Sequence, residues 1–164
     1  MNYYNQEEIP DQKHFFTESS EAMLDELQPA LAKVTRRALA ISDIEFQVVH
    51  GMRTRTQHNE FWRKGVTIGN QSTHFYGHAV DLIPIIEGRP CVEAEVFDDV
   101  AMCMKLAGAD LHVPLRWGGA WHCDNICAFE GIIEDLQLYY IDNMRMQDKR
   151  PRLDLSHFEL TIAE

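Results

Sequence analysis

The chain has 164 residues and a mass of 19.0 kDa, which suits one domain with its own core and is too little for two. A content of 45% hydrophobic and 25% charged residues is ordinary for a soluble globular protein. The formal net charge of −11 and the lack of a basic run exclude the usual nucleic-acid or anionic-membrane binder. The net charge is still compatible with a small anionic substrate, because an acidic protein can carry a cationic side chain in a cleft.

The first ten residues, MNYYNQEEIP, have no basic segment followed by an apolar one, so no secretory signal is visible. No apolar run is long enough to span a bilayer, and we expect no membrane insertion. Synthesis in the cytosol would keep the cysteines reduced. Cys123 and Cys127 beside His122 could suggest a second metal site, but the C-x3-C spacing and the lack of a second pair favour packing thiols.

Residues 1–18 are polar and irregular and are predicted to form an arm, followed by one domain over 19–164. Apolar residues at helical spacing predict helices, the first of them capped by Ser19 or Ser20, over 19–27, 29–41, 96–107 and 132–140. Alternating apolar and polar residues predict strands over 44–50, 79–83, 113–117 and 157–162. The polar stretch 53–73 is predicted to be a long loop.

Glycine and proline are expected to end several of these elements. Gly51 follows the first strand, Pro84 stops the second, and Gly108 closes the third helix. Helices come first, and strands mixed with helices follow. This order predicts an α+β fold in which a small, mainly antiparallel sheet is flanked by helices.

His74 and Asp81 lie seven positions apart in Ser72-Thr-His-Phe-Tyr-Gly-His-Ala-Val-Asp81. On a regular helix they would be about 10 Å apart, and on a strand more than about 20 Å apart. Zinc needs its ligand atoms about 2 Å from the metal. The two side chains can therefore share an ion only if the chain bends between them, and Gly77 is the residue that permits a bend.

His74 and His78 form a rival pair, with the i, i+4 spacing of the HExxH zinc motif. Phe75 stands where that motif has its general base, and Gly77 would fall inside the helix that the motif needs. We therefore favour Asp81 as the partner of His74. His78 is predicted to lie behind the ligands or at the rim of the cleft.

A third ligand is expected far along the chain, in Asp154-Leu-Ser-His-Phe-Glu-Leu160. His157 opens the last predicted strand, and alternation puts Glu159 on the same face. Three protein ligands leave one position for water, as in catalytic zinc sites, and a nearby carboxylate can accept a proton from that water. Asp154 is the candidate base. Its alternative role is that of a turn or cap residue beside Pro151.

Arg53 follows the first predicted strand in Gly51-Met-Arg-Thr. Its guanidinium could hold a substrate carboxylate or stabilise the oxygen that becomes negative during attack. The alternative is a surface salt bridge to one of the 26 acidic residues, which Arg53 taken alone favours.

Together these segments resemble one family, the zinc peptidoglycan peptidases of the VanY and D-alanyl-D-alanine carboxypeptidase kind. The similarity is strongest to the phage L-alanyl-D-glutamate endopeptidases. Its most specific part is the combination of S-x-H-x-x-G-x-A-x-D with D-x-x-H-x-E. The segments that carry it are Gln28–Leu39, Phe46–Thr54 with Gln57, Ser72–Leu82, Leu115–Trp121 and Asp154–Leu160.

The resemblance implies Zn²⁺ as the cofactor, bound at the face of the sheet. The family's zinc ligands fall on His74, Asp81 and His157. Its catalytic carboxylate falls on Asp154, and the carboxypeptidases more often have Glu there, which favours the endopeptidases. The implied substrate contacts are Arg53, which orients the substrate, Gln57, Ser72 and His78.

Two features depart from the family pattern. Ala120 stands where relatives often have Asp in a Gly-Gly-Asp-Trp run, and the stretch 122–150 is longer than expected. Both could change contacts with the substrate, and neither affects the implied zinc ligands.

The implied function is hydrolysis of the L-Ala–D-Glu bond in the stem peptide of peptidoglycan, by a monomeric phage or prophage endolysin. Such an enzyme would reach the periplasm from the cytoplasm of the infected cell through a holin or on lysis. Two alternatives are a D-alanyl-D-alanine carboxypeptidase and a non-catalytic zinc-binding phage module. Product analysis distinguishes the first alternative, and the activity of an Asp154→Asn variant distinguishes the second.

Overall fold

The computed structural model describes residues 11–51 and 75–161, and all structural statements concern these ranges. They contain four α-helices, which are α1 (Glu18–Asp25), α2 (Pro29–Ile41), α3 (Ala94–Asp110) and α4 (Ile133–Met146). The strands are β1 (Glu45–His50), β2 (Ala79–Ile86), β3 (Arg89–Pro90), β4 (Leu115–Gly118) and β5 (Asp154–Leu160). Short 3-10 helices lie at Phe75–Gly77 and Ile126–Ala128.

The sheet has the strand order β1-β2-β5-β4, and β3 pairs with the end of β2. Each of these pairings is antiparallel, so the predicted α+β fold with an antiparallel sheet is confirmed. The core between helices and sheet includes Leu31, Phe46, Met104, Trp117 and Phe158, all fully buried. No helix in the described ranges is long and apolar enough to cross a membrane.

The predicted cap of the first helix is wrong by two or three residues. Thr17 caps α1 with its side-chain oxygen, which accepts a hydrogen bond from the Ser20 N–H at 3.1 Å. Ser20 lies inside the helix, and its hydroxyl makes two hydrogen bonds to β1. The hydroxyl donates to Gln47 Oε1 at 2.7 Å and accepts from Val48 N–H at 3.0 Å, which ties α1 to β1.

Two predicted terminators do not end their elements. Pro84 lies within β2 opposite Phe46, and its carbonyl accepts a hydrogen bond from Cys91 N–H at 2.9 Å. Gly108 lies within α3, which continues to Asp110. A Cβ at Gly108 would collide with Cys127 Sγ, so this glycine serves close packing and not termination.

A sharp bend precedes β2, as the spacing of His74 and Asp81 predicts. Gly77 has φ +74°, and Tyr76 is also left-handed, with φ 62°. The bend packs against the link between α1 and α2, where Gln28 N–H donates to the Gly77 carbonyl at 3.0 Å. The Gln28 side chain also donates to the Tyr76 carbonyl, at 2.8 Å. These contacts fix the direction in which β2 leaves the bend.

Replacing Gly77 by Ala is expected to lower the free energy of unfolding by about 3 kcal/mol, from backbone strain plus overpacking. The new Cβ would lie 2.8 Å from Leu27 Cα and 2.9 Å from Gln28 N, both backbone atoms that cannot move aside. Gly88 is the matched control, because it has φ +75° with nothing within 4 Å of the added Cβ. Urea denaturation should give G88A a loss of only about 1 kcal/mol. Equal losses in the two variants would contradict the packing argument.

Asp98 is a buried acid in α3 that lies apart from the sheet. It is 7% exposed, and its Oδ1 has no hydrogen-bond partner in the described part of the chain. Burial, followed by the charges of Glu134, Asp99 and Glu95, raises the pKa of Asp98 from 3.8 to about 6. The folded protein therefore binds a proton at Asp98 more tightly than the unfolded chain does. This stabilisation is fully present below about pH 4 and is lost as the pH rises through about 6.

The D98N variant should therefore gain stability relative to the original protein as the pH rises from 4 to 8. The raised pKa corresponds to at most about 3 kcal/mol. Solvent screening reduces the expected change to about 1–2 kcal/mol. Urea denaturation of both proteins at pH 4, 6 and 8 measures it, with the exposed Asp142→Asn as control. A difference in stability that does not change with pH would contradict the assignment.

Candidate active site

Three side chains form a row across adjacent strands of the sheet. The register pairs Asp81 of β2 with His50 of β1 on one side and with His157 of β5 on the other. His157 Nδ1 lies 3.1 Å from Asp81 Oδ1, and His50 Nδ1 lies 3.2 Å from Asp81 Oδ2. Each carboxylate oxygen of Asp81 therefore faces a different imidazole. The His50 side chain is 48% exposed and the other two are largely buried, so the row opens to solvent at the β1 side.

His157 is held between two carboxylates. Its second ring nitrogen, Nε2, lies 3.0 Å from Glu159 Oε1, opposite to the side that faces Asp81. Burial by itself would lower the pKa of His157, but the hydrogen bonds and charges of Asp81 and Glu159 raise it to about 9. The site thus strongly favours positive charge at the imidazole.

The spacing of Asp81 and His157 fits a shared metal ion. Two ligand atoms bound to one tetrahedral zinc are about 3.3 Å apart. The 3.1 Å between Nδ1 and Oδ1 is close to that value. A carboxylate and an imidazole are also donors that zinc prefers. Within residues 11–51 and 75–161 no group of three His, Cys, Asp or Glu side chains is arranged to hold a metal. The third predicted ligand, His74, lies outside these ranges.

Asp154 is the first residue of β5, and not, as predicted, a residue that precedes the last strand. The strand begins earlier because β5 pairs again with β4 across a bulge, where Gly118 lies opposite Asp154 and Trp117 lies opposite Phe158. Ser156 Oγ donates to Asp154 Oδ1 at 3.2 Å. Trp117 Nε1 donates to the Leu155 carbonyl at 2.9 Å and anchors this end of the strand. The carboxylate is therefore held in place but remains partly exposed.

Trp121 lies beside the buried His157. Its ring centroid lies 5.5 Å from that of His157, and the Arg116 guanidinium lies 5.5 Å from the indole ring. Arg116 Nη2 also donates to the Trp121 carbonyl at 3.1 Å. Trp121 therefore contacts both His157 and Arg116.

Comparisons with known proteins point to one family of peptidases. Residues 13–134 match the profile of the family described as phage L-alanyl-D-glutamate peptidase. The L-alanyl-D-glutamate peptidase of Escherichia phage T5 is 34% identical over 111 residues, which are 65% of this chain and 81% of that protein. The chain belongs to the phage L-alanyl-D-glutamate peptidase family.

Structure comparison extends the similarity beyond residue 134. The crystal structure of the Serratia marcescens L-Ala D-Glu endopeptidase ChiX matches with a TM-score of 0.64 and 25% identity, over 92% of each chain. The predicted enzyme class, a phage endopeptidase that cuts the L-Ala–D-Glu bond of peptidoglycan, is therefore confirmed. The carboxypeptidase alternative finds no support in these matches.

The structure describes only some of the other residues considered for the site. Arg53, Gln57 and Ser72 lie outside the described residues. His78 directly precedes β2, and its side chain is half-buried. Its carbonyl accepts a hydrogen bond from Leu160 N–H at 2.9 Å. His122 stacks on Tyr140, with ring centroids 5.6 Å apart, and does not form a metal cluster with the nearby cysteines.

Sequence reasoning proposed no role for His50, Glu159 and Trp121. Glu159 could have been found, since alternation already puts it on the face of β5 that carries His157. Trp121 stood in a family motif without an assigned role. His50 gave no local signal, because its position opposite Asp81 depends on a bulge between Val48 and His50.

Proposed function

We propose that this peptidase is zinc-dependent, with His74, Asp81 and His157 as the metal ligands. Asp154 is the group that moves the proton, and Arg53 binds a carboxylate of the substrate. Gln57, Ser72 and His78 contact the stem peptide around the scissile bond. The site lies at the edge of the sheet face formed by β1, β2 and β5.

The observation that carries this proposal is the pairing of Asp81 with His157. They come from strands far apart in the chain, yet their oxygen and nitrogen lie 3.1 Å apart, close to the separation of two ligands on one zinc ion. A second carboxylate at Glu159 adds to the preference for positive charge. The bend at Gly77 supports the proposal, because it lets the chain before β2 approach Asp81.

The reaction is addition of water to the L-Ala carbonyl carbon, followed by cleavage of the C–N bond to D-Glu. Bound zinc would supply Lewis acidity to the carbonyl oxygen. A carboxylate oxygen of Asp154 accepts a proton from the attacking water and returns it to the leaving amine. The Arg53 guanidinium holds the anionic peptide so that the scissile carbonyl stays in register.

The biological role that follows is host lysis by a monomeric endolysin. The enzyme would accumulate in the cytoplasm of the infected cell and reach the wall when a holin opens the inner membrane. The acidic surface that the net charge of −11 implies opposes binding to nucleic acid and is compatible with this route.

Digestion of purified sacculi with product analysis by mass spectrometry tests the proposal. We expect new L-Ala carboxyl ends and new D-Glu amino ends in equal amounts, with about one zinc per chain in the active protein. Activity should fall on chelation and return with added zinc. Release of terminal D-Ala alone would overturn the bond assignment, and full activity in a metal-free protein would overturn the zinc assignment.

A further inference from the structure

Glu159 lies on β5 next to His157. It has no role in the reaction as proposed above. It is 7% exposed, and buried carboxylates are rare unless they are paired. Its Oε1 lies 3.0 Å from His157 Nε2. Residues 157 and 159 point to the same face of β5, so the contact follows from strand geometry and needs no loop rearrangement.

We propose that Glu159 is a positioning residue that fixes the His157 ring and directs its Nδ1 lone pair towards the metal. When a metal ion takes the place of the Nδ1 proton, the imidazole is neutral and carries one proton, and an ionised carboxylate can only accept a hydrogen bond. Glu159 therefore holds that proton on Nε2. The lone pair of Nδ1 is then left facing Asp81, where the ion would bind. The inference rests on the proposed zinc site.

The surroundings distinguish this role from direct ligation by Glu159. The two ring nitrogens of His157 face opposite directions, so an ion next to Asp81 cannot also touch Glu159 through the same ring edge. Asp81 is flanked by the 48% exposed His50, which leaves that side open to water and substrate. The Glu159 side chain is 9% exposed, on the closed side of the ring. A catalytic ion needs the open side, because it must keep a position for water.

Zinc affinity measured by chelator competition tests this role, together with the ¹⁵N chemical shifts of the His157 ring in the zinc-loaded protein. E159A should weaken zinc binding by roughly 10–100-fold, as loss of a partner behind a metal-bound histidine usually does. E159Q has nearly the native shape and can still accept the Nε2 proton, so its loss should be smaller. The zinc-loaded original protein and E159Q should show an Nε2-protonated ring, and E159A a weaker preference.

Phe158→Leu is the matched control, since Phe158 neighbours His157 but points into the core, where it stacks on Trp117. It should lower stability and leave zinc affinity unchanged. If E159A and E159Q both bind zinc as tightly as the original protein, the inference is wrong. It is also wrong if E159A loses zinc as completely as H157A, because Glu159 would then be a ligand itself.

The outcome for H157A separates this inference from the proposed function. If H157A binds zinc as tightly as the original protein, the proposed zinc site fails, and Glu159 loses its role with it. If H157A loses zinc while both Glu159 variants keep native affinity and ring protonation, only the positioning role fails. E159Q keeps the test valid where E159A does not fold.

Discussion

Asp154→Asn is expected to lower the hydrolysis of purified peptidoglycan by about 10²- to 10⁴-fold, the usual contribution of one acid–base group. Asparagine keeps the shape of the side chain and can still accept the hydrogen bond from Ser156, so the strand should stay in place. It cannot take a proton from water at neutral pH. Zinc content and thermal unfolding temperature should therefore stay at their original values while turnover falls.

Ser156→Ala is the control for Asp154, because Ser156 orients this carboxylate without acting on the substrate in the proposed reaction. Loss of one neutral hydrogen bond of about 1 kcal/mol corresponds to a fall in activity of several-fold at most. If D154N kept native turnover, Asp154 would not be the base. If the original protein and D154N bound cell wall equally and neither cut it, the chain would be a binding module.

Two features near the candidate site could be predicted because they depend on local patterns. An ion shared by His74 and Asp81 would need a bend between them, and Gly77 is left-handed at the expected place. Alternation along the last strand placed His157 and Glu159 together, and their side chains do meet. These inferences depend only on the geometry of a strand and on the special freedom of glycine, which hold in any fold.

The residues that were missed depend on how distant segments pair. His50 meets Asp81 only because β1 lies antiparallel to β2, with a bulge that shifts the register near its end. Nothing within residues 44–50 signals that bulge. Thr17 rather than Ser19 or Ser20 caps α1, and the deciding contact of Ser20 is with Gln47, 27 residues away. Local propensity treats these three hydroxyl residues as near equals, and tertiary contacts choose between them.

Pro84 shows the same limit for termination signals. Proline has no backbone N–H to donate. This loss matters only where a carbonyl of the neighbouring strand needs that hydrogen bond. At Pro84 the carbonyl still accepts a hydrogen bond, from Cys91, and the chain stays extended to Ile86. The register, rather than the residue type, determines whether a proline ends a strand.

His157→Ala is expected to abolish zinc binding and reduce turnover to background. The substitution removes a proposed ligand and also leaves Asp81 and Glu159 as largely buried carboxylates without their shared imidazole partner. Breaking a buried charge pair in this way typically costs about 3–5 kcal/mol. Since metal binding stabilises the folded state, the original protein should lose stability with a chelator, and H157A should not.

Thermal unfolding with and without EDTA, together with zinc analysis of the purified proteins, measures both effects of H157A. His122→Ala is the matched histidine control, because His122 stacks on Tyr140 away from Asp81. H122A should retain zinc and the full response to EDTA. If EDTA lowered the unfolding temperature of H157A as much as that of the original protein, the stabilising ion would bind elsewhere. Asp81 and His157 would then form an ion pair that serves the sheet and not the reaction.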